Sequence, residues 1–286
     1  MAETVAFSWQ SLLQALNGKR PLIAGIVNAT PDSFSDGKGS VDAVERVAFA
    51  LQLLDEGADI LDIGGESTRP GACEVDSLEE WARLSPVING VLAQRPDAVI
   101  SVDTRHSDVA AKALRAGALI INDVSGLTFD PAMREVIASG GAGAILTHST
   151  AIPELMQKST YALDRQAVTR VKEDLHKLTD YAAAGGILSQ KLMLDVGIGF
   201  GKSRAANYDL LRHAASFEKD FQLPFWWGVS RKSLLAQVPD TLEKRIAGSL
   251  ALAVKLAEAK VSLLRVHDVA ATISAINAAA ELGGTL

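Results

Sequence analysis

The chain has 286 residues, and 28 lysines and arginines against 34 aspartates and glutamates give it a formal net charge of −6. This acidic balance argues against a non-specific nucleic-acid binder, and the lack of any run of about 18 apolar residues argues against a membrane partner. The single cysteine, Cys73, excludes an internal disulfide and a thiolate metal cluster. No basic segment followed by an apolar run opens the chain, so we expect a soluble, cytoplasmic protein.

Short apolar runs recur along the whole chain. They are rich in Val, Ile, Leu and Ala and show little polar alternation, which is typical of strands buried on both faces of a parallel sheet. The predicted strands are Leu22–Asn28, Asp59–Gly64, Ala98–Asp103, Ala118–Asp123, Ala142–His148, Lys191–Val196, Phe225–Ser230 and Val261–His267.

The stretches between these runs have the apolar spacing of amphipathic helices. Several end at a glycine, such as Gly57 or Gly117, which suits a helix C-terminus that turns left-handed. The predicted helices are Ala43–Glu56, Leu78–Ala93, Ser107–Ala116, Ala132–Ser139, Leu163–Ala184, Tyr208–Ser216, Leu242–Ala259 and Ala270–Leu282.

This alternation of strands and helices predicts an α/β fold, a single (β/α)8 TIM barrel that forms one domain over residues 1–286, with the barrel itself at about 21–286. A doubly wound open sheet is the rival, but it usually has fewer strands and a glycine-rich first turn. The turn here, residues 28–33, reads Asn-Ala-Thr-Pro-Asp-Ser. We expect the short N-terminal extension, Phe7–Asn17, to form a helix or short strand packed outside the barrel.

In such a barrel the active site forms at the C-terminal ends of the strands. Nearly every predicted strand ends there in a polar or charged residue. For Asn122 or Asp123 alone, capping of the next helix is as good an explanation as function. Capping does not explain a whole ring, because buried charges cost desolvation energy unless they meet partners or a ligand. The ring comprises Asn28, Glu66, Ser67, Thr68, Arg69, Asp103, Asn122, Asp123, His148, Asp195, Ser230, Arg231, Lys232, Arg265 and His267.

The residue types in this ring suit two kinds of ligand group. Arg69, Arg265 and His267 suit phosphate or pyrophosphate. The other group supplies hydrogen-bond acceptors, donors and a cation, which suit a planar heterocycle with amide and amidine edges. It comprises Asp103, Asn122, Asp195 and Lys232.

Other catalytic motifs find little support. The chain has no Gly-x-Ser-x-Gly elbow, no His-Glu-x-x-His pair and no paired cysteines, so a serine hydrolase or a zinc enzyme is disfavoured. The glycine-rich run at residues 197–202 lacks the Walker spacing, which favours a flexible strand-to-helix loop over a phosphate loop.

Two long motifs resemble the signatures of the dihydropteroate synthase family. Residues 28–37, Asn-Ala-Thr-Pro-Asp-Ser-Phe-Ser-Asp-Gly, resemble the first, and residues 64–71, Gly-Gly-Glu-Ser-Thr-Arg-Pro-Gly, resemble the second. Four shorter motifs follow in the order of the family: Ser101-Val102-Asp103-Thr104, Ile121-Asn122-Asp123-Val124, Ser230-Arg231-Lys232-Ser233 and Arg265-Val266-His267-Asp268-Val269. The similarity extends from about Pro21 to the C-terminus.

The resemblance implies a pterin-binding TIM barrel, usually a homodimer, that takes part in folate biosynthesis and is a sulfonamide target. Its reaction condenses 6-hydroxymethyl-7,8-dihydropterin pyrophosphate with p-aminobenzoate and gives 7,8-dihydropteroate and pyrophosphate, with Mg²⁺ as cofactor. The C–O bond to pyrophosphate breaks first, in an SN1-like substitution. Catalysis is then mainly charge stabilisation and positioning, and no protein nucleophile is needed.

The resemblance also assigns roles to residues of this chain. The residues implied to be catalytic are Asp36, Arg69 and Lys232. Pterin binding is implied for Asp103, Asn122, Asp195, Lys232 and Arg265. Pyrophosphate binding is implied for Asn28, Thr68, Arg69, Arg265 and His267, with Asn28 also at the metal site. The p-aminobenzoate pocket is implied to comprise Phe34, Pro70, Lys232 and Ser230.

The stretches after the fifth and sixth predicted strands depart from the family pattern. Residues 147–153, Thr-His-Ser-Thr-Ala-Ile-Pro, replace a segment close to Met-His-Met-Gln-Gly, so Thr147 stands where an apolar shelf under the pterin is expected. Residues 195–197, Asp-Val-Gly, replace Asp-Pro-Gly. The alternatives are an enzyme with another aminobenzene acceptor, a catalytically idle pterin-binding paralogue, and a pterin-binding methyltransferase. The last normally works with a cobalamin partner or domain, which this chain lacks.

Overall fold

The computed structural model of the protein describes residues 7–15, 20–30, 43–66, 74–149, 166–235 and 240–283. Its strands are β1 (Leu22–Asn28), β2 (Ile60–Gly64), β3 (Ile100–Asp103), β4 (Ile120–Asp123), β5 (Gly143–Thr147), β6 (Leu192–Asp195), β7 (Trp226–Gly228) and β8 (Leu263–Val266). Each strand carries mostly apolar side chains on both faces, as a parallel sheet covered by helices requires.

The helices follow the strands in alternation. They are α1 (Trp9–Ala15), α2 (Ala43–Asp55), α3 (Ser77–Gln94), α4 (Ser107–Ala116), α5 (Met133–Gly140), α6 (Ala167–Ala184), α7 (Arg204–Arg212), α8 (Ala214–Phe221), α9 (Leu242–Glu258) and α10 (Val269–Glu281). Within the ranges that the structure describes, none of these helices has the length and apolar character needed to cross a membrane.

All strand pairs are parallel, and the sheet runs in the order β6-β5-β4-β3-β2-β1-β8-β7. A single bridge between Leu194 and Phe225 joins β6 to β7 and brings the two ends of the sheet together. There the Leu194 amide donates to the Pro224 carbonyl at 3.0 Å. The predicted (β/α)8 TIM barrel is confirmed.

The predicted strands are confirmed, although all except the first are shorter than predicted. Their apolar runs continue past the last paired residue, because loop residues beside the barrel are buried as well. The predicted helix Tyr208–Ser216 is wrong in extent, since α7 and α8 meet at His213. The hydroxyl of Ser203 caps α7 by accepting from the Ala206 amide at 3.1 Å, which starts that helix earlier than predicted. The first residues of the predicted helix Leu163–Ala184 lie outside the described ranges.

Side chains alternate between the barrel interior and the surrounding helices. The N-terminal extension is a helix, but Trp9 is buried among inward-facing residues at the N-terminal mouth of the barrel and donates from Nε1 to the Lys191 carbonyl at 2.8 Å. The expectation that this segment packs outside the barrel is therefore wrong for Trp9, which fills that mouth. The inward-facing apolar cluster comprises Trp9, Leu22, Ala24, Ile60, Ile120, Ile145, Met193, Trp226 and Leu263.

Candidate active site

The C-terminal mouth of the barrel differs from the N-terminal mouth in having polar inward-facing residues. The strand register aligns Asn28 with Gly64, Gly64 with Asp103, and Asp103 with Asn122. It also aligns Thr147 with Asp195 and Gly228 with Arg265. The sequence-predicted ring at the ends of β1, β3, β4, β6 and β8 is thus brought to one end of the barrel.

Two glycines leave space in this mouth. A Cβ atom added to Gly64 would lie 3.5 Å from Cβ of Asp103, and one added to Gly228 would lie 3.6 Å from Nζ of Lys232. The same added atom on Gly228 would lie 3.9 Å from Cδ of Arg265. Lys232 and Arg265 therefore converge over a position without a side chain.

Arg265 is held by two carboxylates inside the barrel. Its Nε donates to Oδ2 of Asp62 at 2.6 Å, and its Nη2 donates to Oδ2 of Asp103 at 2.9 Å. Ser101 donates from its hydroxyl to Oδ1 of Asp62 at 2.7 Å. Since Asp62 and Asp103 are both buried, Arg265 is the cation that compensates this pair of acids.

The charge of Asp62 affects the ionisation of Asp103. Burial and, second to it, the charge of Asp62 raise the pKa of Asp103 to about 8, against the opposing charge of Arg265. A carboxyl group that takes up a proton can donate as well as accept a hydrogen bond. Such a carboxyl group suits a heterocycle that has both N–H donors and unprotonated, accepting nitrogens in its ring.

Asn122 has an unused acceptor at the same level. Its Nδ2 faces Asp62 at 3.3 and 3.5 Å from the two carboxylate oxygens. Its Oδ1 is buried and has no hydrogen-bond partner among the described residues. A buried amide oxygen in this state is costly unless a bound molecule supplies a donor.

Asp195 and Lys232 lie on the opposite side of the mouth. The Gly197 amide donates to Oδ1 of Asp195 at 2.7 Å, and burial raises the pKa of this carboxyl against the opposing charge of Lys232. Burial lowers the pKa of Lys232 to about 8, while Asp195 opposes that shift and Arg265 adds to it. The ammonium group of Lys232 donates to the Ile198 carbonyl.

The turn that presents Lys232 is firmly anchored. Arg231 has a φ of 55°, a backbone conformation that is unfavourable for any residue except glycine, and its guanidinium is paired with Asp268 at 2.9 Å through Nε. Its amide donates to the hydroxyl of Ser249 at 2.8 Å. These contacts with α9 and the start of α10 hold Lys232 at the mouth.

Ser230 and His267, which the resemblance assigns to different substrates, are in contact. The Ser230 hydroxyl lies 3.0 Å from Nδ1 of His267 and accepts from the His267 amide at 3.2 Å. Together with Arg265 they form one edge of the mouth, between β7 and β8.

Asn28 ends β1 and is only partly buried. The described residues contain no group of three or more His, Cys, Asp or Glu that could hold a metal ion by themselves. A magnesium ion that keeps its waters and binds phosphate oxygens needs only one or two protein oxygens, and an Asn amide oxygen is a suitable donor. This donor set fits Mg²⁺ carried by a phosphate ester, not a metal enclosed by protein.

Six sequence-predicted residues lie outside the described ranges. They are Phe34, Asp36, Ser67, Thr68, Arg69 and Pro70. The atypical segment 147–153 is described only as far as Ser149; in it Thr147 is buried beside Asp195, at the inward position where the apolar shelf was expected.

Sequence analysis missed Asp62. It is fully buried and contacts Arg265, Ser101 and Asn122, so it organises half of the mouth. The available signal was a carboxylate in the middle of an apolar strand, two positions before Gly64 and therefore on the same face.

A second missed contact anchors the loop after β2. Arg105 donates to both carboxylate oxygens of Glu66, at 3.0 and 2.9 Å, and its guanidinium lies 4.1 Å from the ring centroid of Phe129. The Val75 amide donates to the same Glu66 carboxylate at 3.0 Å. Glu66 thus ties the two described ends of this loop to the start of α4.

His148, at the end of β5, is buried in its neutral form. Burial lowers its pKa to about 4, the nearby charge of Lys202 adds to the shift, and Asp174, 3.4 Å from Nε2, opposes it. Its Nδ1 is buried and has no partner in the parts of the chain that the structure describes.

We expect the free energy of unfolding to fall by roughly 3 kcal/mol as the pH drops from about 6.5 to about 4, because His148 takes up a proton more readily in the unfolded chain. The pKa of His148 is lower in the folded protein than in the unfolded chain. Its contribution to stability is therefore present at a pH above the unfolded-state pKa and is lost as the pH falls through the folded-state pKa. Urea unfolding at pH 7, 5.5 and 4.5 checks this, with His148→Gln as the comparison. The same pH dependence in both proteins would exclude His148 as its source.

Comparisons with known proteins give a consistent result. Residues 24–267 match the family model described as pterin binding enzyme. The Escherichia coli (strain K12) dihydropteroate synthase is 39% identical over 263 residues, which are 92% of each protein. The solved Yersinia pestis dihydropteroate synthase, in a sulfonamide drug complex, is 39% identical with a TM-score of 0.85, covering 93% of this chain and 95% of that one.

A third relative has been solved with ligands of the reaction. The Xanthomonas albilineans dihydropteroate synthase with 4-aminobenzoic acid is 38% identical, with a TM-score of 0.84 and coverage of 94% of this chain and 95% of that one. The same organism's enzyme has also been solved in complex with 7,8-dihydropteroate; it is 35% identical, with a TM-score of 0.81 and coverage of 94% and 96%.

Proposed function

This chain belongs to the dihydropteroate synthases of the pterin-binding enzyme family, and from that premise we propose how its residues divide the work. The reaction joins 6-hydroxymethyl-7,8-dihydropterin pyrophosphate to p-aminobenzoate. A C–N bond forms at the pterin methylene, the C–O bond to pyrophosphate breaks, and the aryl amine loses one proton. The whole chain would act as one barrel domain, and the resemblance makes a homodimer the expected assembly.

The pterin is proposed to bind within the barrel mouth, where its amide and amidine edges meet Asp103, Asn122 and Asp195. The unpartnered, buried Oδ1 of Asn122 is the observation that carries this proposal, because a pterin amino group supplies the missing donor. Asp195, opposite, is an acceptor for N–H groups of the pterin. Burial raises the pKa of Asp103, which in its protonated form is able to donate to a ring nitrogen.

Lys232 is proposed to bind the pterin ring and to face p-aminobenzoate. Its ammonium group lies 5.0 Å from the ring centroid of Phe200 and close to the mouth glycine Gly228. The positive charge there would polarise the pterin edge held by Asp195. Ser230, Phe34 and Pro70 complete the proposed p-aminobenzoate pocket, the last two from the sequence motif alone.

The pyrophosphate is proposed to lie at the edge formed by Asn28, Arg265 and His267. These groups offer a guanidinium, an imidazole and an amide, which suit a polyanionic leaving group. Asn28 would hold a Mg²⁺ ion that binds with the substrate, and the ion would supply positive charge beside the phosphate oxygens. The motifs also assign Thr68 and Arg69 to the pyrophosphate. They give Asp36 a catalytic role, next to the cation that develops on the pterin when the C–O bond breaks.

The chemical step requires little of the protein beyond position and charge. Arg265 stabilises the negative charge that develops on the leaving oxygen, and the polar mouth orients the pterin methylene toward the amine. No described residue has to form a covalent bond with either substrate. The proton of the aryl amine leaves to water or to pyrophosphate at the open edge of the mouth.

Pyrophosphate release from 6-hydroxymethyl-7,8-dihydropterin pyrophosphate, measured with Mg²⁺ and with or without p-aminobenzoate, tests this function. We expect release together with 7,8-dihydropteroate only when both are present. Release without dihydropteroate would indicate another acceptor. A protein that neither binds the pterin ester nor releases pyrophosphate would contradict the proposal. Lys255→Met, on the exposed side of α9, is the control variant, and its rate of pyrophosphate release is expected to equal that of the wild type.

A further inference from the structure

Lys202, in the glycine-rich loop after β6, donates to three main-chain carbonyls. Its Nζ lies 3.0 Å from the carbonyl oxygen of His148, 2.9 Å from that of Gly197 and 3.3 Å from that of Phe200. An ammonium group has three donors, so these contacts use its full capacity. The loop after β6 was expected to be flexible, but Lys202 ties it both to itself and to the end of β5.

The two loops joined by Lys202 are in direct contact at Gly197. This residue has a φ of +67°, and a Cβ atom there would lie 1.9 Å from the His148 carbonyl oxygen. Only glycine fits such a close approach. The Gly197 amide is also the donor to Asp195 at 2.7 Å, so the position of this loop sets the environment of that carboxylate.

The next residues of the loop contact Lys232. Its ammonium donates to the Ile198 carbonyl, and a Cβ on Gly199 would lie 3.4 Å from its Cδ. Phe200 presents its ring to the same ammonium group. Residues 197–200 therefore carry the donor for Asp195 and the acceptor for Lys232, the two groups proposed to hold one edge of the pterin.

The start of α7 supports this loop from the other side. Asn207 accepts from the Gly199 amide through Oδ1 at 2.8 Å and donates from Nδ2 to the Lys202 carbonyl at 3.2 Å. Asn207 thus fixes this loop at Gly199 and at Lys202, and the Lys202 ammonium links it to His148, the residue that follows β5.

We infer that Lys202 is a positioning residue for the pterin site: by binding the carbonyls of His148, Gly197 and Phe200 it fixes the loop that orients Asp195 and Lys232. This inference rests on the proposed function, because it names a residue that serves the same site. Among the described residues Lys202 makes no hydrogen bond of its own to either proposed substrate-binding side chain, although its charge favours the ionised form of Asp195.

A matched control lies at the opposite end of β6. Lys191 immediately precedes the strand, is buried, and also donates from Nζ to main-chain carbonyls, those of Phe7 and of Gly141, the latter at 2.8 Å. Its carbonyl partners belong to the N-terminal mouth of the barrel, far from Asp195 along the strand. Lys191→Met and Lys202→Met therefore remove the same kind of contact at the two ends of one strand.

The test compares the dissociation constants of 6-hydroxymethylpterin and of inorganic pyrophosphate, each alone, for the wild type and the two variants. For Lys202→Met we expect the pterin dissociation constant to rise at least about tenfold and the pyrophosphate constant to change less than about twofold. Lys191→Met is expected to bind both ligands like the wild type, even if its unfolding midpoint falls as much as that of Lys202→Met.

A second readout follows the loss of charge rather than stability. The Lys202 ammonium contributes to the low pKa of His148, so an NMR titration of His148 is expected to give a higher pKa in Lys202→Met than in the wild type. A loss of stability alone would leave that pKa where it was. If Lys202→Met does not fold, Lys202→Gln, which removes the charge but retains the two N–H donors of an amide, replaces it in the same comparison.

The outcomes separate this inference from the proposed function. Equal pterin binding by wild type and Lys202→Met would overturn the positioning role and leave the function intact. A wild type that binds no pterin would overturn the proposed function, and this inference with it.

Discussion

Asp195→Asn is expected to raise the dissociation constant of the pterin by about a hundredfold or more while changing that of inorganic pyrophosphate by less than about twofold. The carboxylate offers two charged acceptors to pterin N–H groups, and each such hydrogen bond contributes about 1.5–3 kcal/mol. An asparagine at this buried position keeps one oxygen acceptor and turns an amide donor toward the second pterin N–H. Isothermal titration calorimetry with each ligand separately measures both effects.

Asp209→Asn is the matched control for this variant. Asp209 lies on α7, is paired with Arg212 and faces solvent, so the same chemical change there should leave both affinities at wild-type values. Equal losses of pterin and pyrophosphate affinity in Asp195→Asn would contradict the assignment of Asp195 to the pterin.

Arg265→Ala is expected to lower the free energy of unfolding by about 3–5 kcal/mol at pH 7, since it leaves Asp62 and Asp103 buried without their cation. It should also greatly weaken binding of the pterin pyrophosphate ester, because the proposed contact with the leaving group is lost as well. Urea unfolding and equilibrium binding of the ester measure the two losses independently.

The source of the stability loss is checked with additional substitutions. Asp62→Asn combined with Arg265→Ala removes one of the uncompensated charges and should recover part of the lost stability without restoring ester binding. Arg212→Ala, which removes an exposed arginine from α7, should cost less than about 1 kcal/mol. Unchanged stability in Arg265→Ala would mean that the two acids are not compensated by this residue.

The barrel and the location of its mouth were predictable because both depend on patterns local in the sequence. Apolar runs of strand length, separated by helical periodicity, predict the alternation of elements, and the polar residue that ends each run identifies the mouth. The end of β1 at Asn28 and the whole of α4 follow from this kind of signal. The break between α7 and α8 at His213 did not, because it depends on how both helices pack against the barrel.

The interior contacts were not predictable for a related reason. Asp62 acquires its role from Ser101, Asn122 and Arg265, which belong to β3, β4 and β8 and are far from it in the sequence. Periodicity gives the face of a strand but not the height at which facing strands meet. Lys202 was placed in a flexible loop because its carbonyl partners become visible only when the ends of β5 and β6 are adjacent.

The single bridge between Leu194 and Phe225 makes the β6–β7 junction the least hydrogen-bonded of those between the described strands, whose other neighbours share three or more register pairs. Opening the barrel at this junction breaks the fewest main-chain hydrogen bonds. Asp195 ends β6 and Lys232 follows β7, so a molecule bound to both spans the junction and closes it. Substrate binding and closure of the cylinder are then thermodynamically linked, and the ligand raises the resistance of the whole fold to unfolding while it occupies the mouth.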